Sequence, residues 1–142
     1  MQNKKISIAV VIKNDGKVLI ILRRKKESGT DNSILSWTFP SGTVELDEDP
    51  SFTAERETYD ETGYKIKVIE LINEKDHPQF PVHVFYWRCK LVEEIQYPIT
   101  EIDEIAEVRW VDPVEIPTLF TTNLDAKTAL YLNINSKIEE HE

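Results

Sequence analysis

Residues 53–64, TAERETYDETGY, place four carboxylates and one arginine in twelve positions. Read as a helix, the segment sets Glu57, Asp60 and Glu61 at i, i+3 and i+4 on one face, where like charges repel. Gly63 reads as the helix stop, so these acids also meet the negative end of the helix dipole. One reading is a solvated acidic face, with Arg56 and Asp60 as an ordinary i,i+4 pair. The other is that the carboxylates converge on a divalent cation, which turns their repulsion into ligation. Hard oxygen ligands suit Mg²⁺ or Mn²⁺, and magnesium keeps waters while it binds the phosphate oxygens of a substrate.

Such acids need a scaffold. Asp49 as N-cap, Pro50 in the first turn and Gly63 at the end punctuate a helix between them. Its apolar stripe is thin, chiefly Phe52, Ala54 and Tyr59, so packing does not account for the acidic face. Before it, two β-branched runs flank Asn14-Asp15-Gly16 and predict strands at 5–13 and 17–24 around a hairpin turn. ESGTDNS then reads as a surface loop, and ILSWTFPSGTVE as a short strand stopped by Pro40. After the helix, YKIKVIELINEK, VHVFYWRCKLVEE and IAEVRWV predict three more strands. LDAKTALYLNINSKI predicts a closing helix. A mixed sheet with few helices fits an α+β or α/β layered domain.

The chain of 142 residues, with 40% hydrophobic and 30% charged residues, reads as one ordinary globular domain, 1–142. Its net charge of −9 argues against broad binding to nucleic acid or anionic membrane, and a phosphate ligand would need cations between it and the protein. The single cysteine, Cys89, forms no internal disulfide, and no Cys/His cluster has zinc spacing. ISIAVVI is too short for a membrane span and is followed at once by KNDGK, so a cytoplasmic protein is expected.

The spacing then sharpens the metal reading. Gly42, five residues, Glu48, seven residues, and Arg56-Glu57-Thr58-Tyr59-Asp60-Glu61-Thr62-Gly63-Tyr64 resemble the Nudix hydrolase signature, G-x5-E-x7-R-E-U-x-E-E-x-G-U, U being a bulky apolar residue. Gly42, Glu48, Arg56, Glu57, Glu61 and Gly63 match, Asp60 replaces a glutamate, and Thr58 and Tyr64 depart at the apolar positions. FPSG before the motif and EIAEVRWVDP after it resemble the family's flanking segments. The resemblance implies an α/β/α sandwich around a mixed sheet. It also implies Mg²⁺, with Mn²⁺ as a substitute, held by Glu57, Glu61, Asp60 and the Gly42 carbonyl. Arg56 is expected to orient Glu57 or a neighbouring acid, and Glu48 to steady Arg56.

The implied reaction is hydrolysis of a nucleoside diphosphate linked to another group. Its proton acceptor is Glu61 or an acid of ITEIDEIAE, where Glu104 is chosen ahead of Glu101 and Asp103. Arg23 is the candidate phosphate contact, and Trp37 and Phe39 are candidates to stack a base, although aromatics on a strand are more often core. Nucleoside triphosphates, oxidised ones included, rank first as substrates. ADP-ribose ranks second, since Pro78 and Pro81 lie near the proline of the family's ADP-ribose hydrolases. A non-catalytic nucleotide-binding module stays open as a different class. The partner expected is a small nucleotide, with no stable nucleic-acid or membrane contact. Dimerisation is common in the family, and a homodimer would be in keeping with it.

Overall fold

A computed structural model of the chain describes residues 4–26, 33–78 and 80–134. The order is β1 (Lys4–Ile12), β2 (Val18–Lys26), β3 (Ser33–Thr38), β4 (Ser41–Thr43), α1 (Pro50–Thr62), β5 (Ile66–Asp76), β6 (Val82–Leu91) and β7 (Ile105–Val111). A 3-10 turn (Pro113–Glu115), α2 (Ile116–Leu119) and α3 (Ala126–Leu132) follow. Most of the predicted loop at 27–33 and the last four residues of the predicted closing helix lie outside the described residues.

The Asp15-Gly16 turn forms as predicted, with Gly16 at φ +89° and Lys13 N–H donating to the Lys17 carbonyl at 3.0 Å. The two strands then part, and their pairing is confined to Ile12 and Val18. Beyond the turn, β1 pairs with β4 and, in parallel, with β6, while β2 pairs with β3 and β7. The hairpin is thus a bridge between two groups of strands in one mixed seven-stranded sheet.

Alternation along β1 sends side chains to both faces. Val10 joins Val18, Ile20, Phe39, Ile116, Phe120 and Leu132 on one side, and Ala9 and Val11 join Leu19, Ala54, Ile66 and Cys89 on the other. Helices therefore cover both faces, which is an α/β/α sandwich. Among the described residues no helix is long and apolar enough to cross a membrane.

The inner face of α1 differs from the apolar stripe expected. Thr53, Ala54, Thr58, Glu61 and Thr62 are buried, whereas Phe52 is exposed. Small side chains at this spacing let the helix lie close on the sheet, and a phenylalanine there would hold it off. Ser7 fixes the helix start, since its hydroxyl donates to the Pro50 carbonyl and accepts from Trp87 Nε1 at 2.7 Å.

Thr58, which stands at one of the motif's apolar positions, is fully buried, and its hydroxyl has no hydrogen-bond partner. An unsatisfied buried hydroxyl costs about 1–3 kcal/mol. Thr58→Val keeps the shape and removes the orphan group. It is expected to stabilise the protein by about 1 kcal/mol, read as a melting temperature a few degrees higher. A lower melting temperature would refute that account.

Candidate active site

Helix α1 carries the acids and is held at both ends. Asp49 accepts from Ser51 N–H at 2.9 Å at the start, and Gly63 closes the helix in the left-handed region at φ +79°. The segment between β6 and β7 then satisfies the free carbonyls of the last turn. Asp60 O accepts from the amides of Thr100 and Glu101 at 3.1 and 3.2 Å, Thr62 O from Gln96 Nε2 at 2.9 Å, and Gly63 O from Tyr97 N–H at 2.8 Å. These donors offset the negative end of the dipole, so acids can stand there at less cost. They also bring a further acid in. One carboxylate oxygen each of Glu57, Asp60 and Glu101 lies within 4.8 Å of the others.

Glu48 and Arg56 form the support beneath. Arg56 Nε and Nη2 donate to the two oxygens of Glu48 at 2.7 and 3.0 Å, and Nη1 donates to Glu57 at 3.1 Å. The Arg56 fork holds the Glu48 carboxyl down at about 2. Burial does the reverse to the acids above. It raises Glu57 despite Arg56, raises Glu101 with help from Glu104, and pushes Glu61 up to about 7 despite Arg23.

Glu61 is 3% exposed and is not one of the three grouped carboxylates. Its Oε1 accepts from Ser41 N–H at 3.1 Å and its Oε2 from Arg23 Nη2 at 2.9 Å. The same Nη2 reaches the Ser41 carbonyl at 3.3 Å, and Nη1 stands 3.6 Å from the exposed carboxylate of Glu104. Of the loop acids, then, Glu101 meets the helix acids, while Glu104 meets Arg23.

Gly42 lies in β4, opposite Ser7 of β1. Its backbone is not left-handed, so a tight bend is not what demands glycine. The demand is spatial, because a Cβ built there would sit 2.3 Å from Cγ and Cδ of Glu57. The Glu57 side chain lies across the bare Cα. The three-residue strand β4 escaped the sequence reading, since Pro40 interrupts the run and periodicity has too few positions to register.

Phe39 is corrected. It is 5% exposed and packs edge-on against Phe120 at 5.0 Å, so it has no free face for a base. Trp37 is half-buried, with the Arg109 guanidinium 4.6 Å from its ring centre. Ser41 was missed, and Glu101 was weighed only as a proton acceptor behind Glu104, not as a companion of the helix acids. ITEIDEIAE marked its loop as acidic, but only the amide contacts with Asp60 select one acid from it.

The NUDIX domain family model matches residues 3–131. The chain belongs to the Nudix family. It is 30% identical over 112 residues to the MutT-like protein of Streptomyces ambofaciens, covering 78% of this chain and 66% of that protein. It is also 30% identical over 132 residues to Nucleoside diphosphate-linked moiety X motif 6 of Xenopus laevis, covering 87% and 58%. The chain therefore spans less than two thirds of each of these relatives. The crystal structure of a NUDIX hydrolase from Nitrosomonas europaea superposes with a TM-score of 0.72 at 21% identity, covering 96% of this chain and 77% of that one. That likeness shows the Nudix fold, and the mixed sheet with helices on both faces is what the motif implied.

Proposed function

We propose that this Nudix chain is a divalent-metal-dependent hydrolase of the diphosphate linkage in nucleoside diphosphate-X compounds, with nucleoside triphosphates as its preferred substrates. The observation that carries this reading is the convergence of Glu57, Asp60 and Glu101 beside the buried Glu61–Arg23 pair. An all-oxygen, half-buried donor set of this kind fits Mg²⁺, with Mn²⁺ as a substitute. Glu57, Asp60 and Glu101 would hold the metal, with Glu61 and the Gly42 carbonyl as further donors. When bound, the ion would offset phosphate charge and lower the pKa of a water.

The chain's own residues supply the rest. Glu48 and Arg56 position Glu57 through the forked pair and the 3.1 Å contact. Arg23 offers a planar fork to a phosphate, and Trp37 offers a base contact at the edge of the sheet. For the proton from the attacking water we place two acceptors on the Arg23 side, Glu61 and Glu104. Glu104 is 61% exposed, so it can pass a proton on to solvent. The long matched span and the two apolar clusters sharing β1 support reading the chain as one domain.

The test is purified protein with Mg²⁺ against nucleoside triphosphates, oxidised dGTP, ADP-ribose and dinucleoside polyphosphates, with Glu61→Gln and Glu104→Gln alongside. Mononucleotide and pyrophosphate from triphosphates are expected, abolished in Glu61→Gln. In Glu104→Gln a fall in kcat of about 10²-fold or more, with metal affinity kept, identifies the acceptor. AMP and ribose phosphate from ADP-ribose would move the substrate to the runner-up. Metal-dependent nucleotide binding without turnover would make the chain a binding module.

A further inference from the structure

Glu61 sits among the acids proposed to hold the metal, yet a cation already occupies it. Its Oε2 takes the Arg23 guanidinium at 2.9 Å in a site where the Glu61 side chain is 4% exposed, while its Oε1 is fixed by Ser41 N–H at 3.1 Å. A divalent ion and a guanidinium compete for one carboxylate oxygen, since two positive charges at such a separation repel strongly away from water. Arg23 has somewhere to go. Its other terminal nitrogen is 3.6 Å from Glu104, on the open side of the cleft, and its own side chain is 24% exposed. Arg24 steadies that loop from beneath, its amide donating to Glu104 O at 2.7 Å and its guanidinium to Asp103 O at 3.1 Å.

We propose that Arg23 is an exchangeable counter-cation for Glu61, holding the carboxylate in place until a divalent ion takes over Oε2 and releases the guanidinium toward Glu104 and the phosphate of the substrate. The inference rests on the metal reading above and adds a step to it. Ser41 N–H keeps Oε1 throughout, so Glu61 changes partner without changing position. Metal and phosphate then favour each other through one side chain. Metal frees Arg23 for phosphate, phosphate draws Arg23 from Glu61, and the coupling must be equal in both directions.

The experiment is Mn²⁺ titration of the whole chain without nucleotide, followed by electron paramagnetic resonance of free Mn²⁺, for wild type, Arg23→Gln and Arg23→Lys. Removing the competitor is expected to tighten Mn²⁺ binding about tenfold in Arg23→Gln. Arg23→Lys keeps the charge but lacks the fork that spans Glu61, Ser41 and Glu104, so its affinity should fall between the two. Metal-free Arg23→Gln should melt below wild type, and saturating Mn²⁺ should close that gap. Equal or weaker Mn²⁺ binding in both variants, with wild type binding normally, would overturn the exchange and leave the proposed function standing. No Mn²⁺ binding by any of the three would remove the metal reading and this inference together.

Discussion

Gly42→Ala is expected to leave the fold intact and to lower turnover by about 10²-fold or more. The added Cβ would come within 2.3 Å of Glu57 Cγ and Cδ and 2.4 Å of its Oε2. All three atoms belong to a flexible side chain, so the glutamate can swing away at little cost to folding. What it cannot do is stay among the acids. Glu57 is one of the three carboxylates grouped within 4.8 Å and the one that Arg56 grips, so its displacement dissolves the group. A misplacement of about 1 Å at a reacting centre is enough for a 10²-fold loss. A melting temperature within about 2 °C of wild type, weaker Mn²⁺ binding and a collapsed kcat would together support this. Full activity in the variant would show that Glu57 does not need the space above Gly42.

Gly63→Ala should fail in the opposite way, through stability. Gly63 lies at φ +79°, where an L side chain costs about 1 kcal/mol or more. A Cβ there would also stand 1.9 Å from the Tyr97 carbonyl oxygen and 2.9 Å from its carbon. These are backbone atoms, so the 92–104 segment must move as a whole. Moving it breaks the Tyr97–Gly63 hydrogen bond and loosens the contacts of Thr100 and Glu101 with Asp60. Losing the turn conformation and two or three hydrogen bonds amounts to about 3 kcal/mol, or a melting temperature lower by about 10 °C. Because Glu101 rides on this segment, metal affinity should fall too. A variant as stable as wild type would mean that the loop is not seated on the helix end.

The pair of glycines shows why two residues of one motif differ in purpose. Gly42 makes room for the Glu57 side chain, and Gly63 makes room for a backbone that delivers Glu101. Neither reason is visible in the letters, which show only that glycine stands at both places.

Much of the rest was legible without coordinates. The helix and its caps follow from Asp49, Pro50 and Gly63, because capping is local chemistry that needs no distant partner. The strand runs follow from β-branched periodicity, and the turn at Asp15-Gly16 from residues that accept a positive φ. The spacing from Gly42 to Gly63 is likewise a property of the chain alone, and it sufficed to select the family that the NUDIX domain model matches and to raise the expectation of a divalent cation. Even the unease of acids at a helix C-terminus was a sequence fact, since dipole and like-charge repulsion depend only on order along the helix.

Only the tertiary structure decided which groups meet. Phe39 went to the core because β3 and α2 bring Phe120 against it. Glu101, not Glu104, joined Glu57 and Asp60 because backbone amides 40 residues downstream cap the helix end. Glu61 found Arg23 and Ser41 N–H because β2 and β4 run beneath the end of α1. Each depends on groups far apart in sequence that the packing of sheet and helices brings together. Local propensity fixes the parts, and burial between distant strands sets which carboxylate faces a cation.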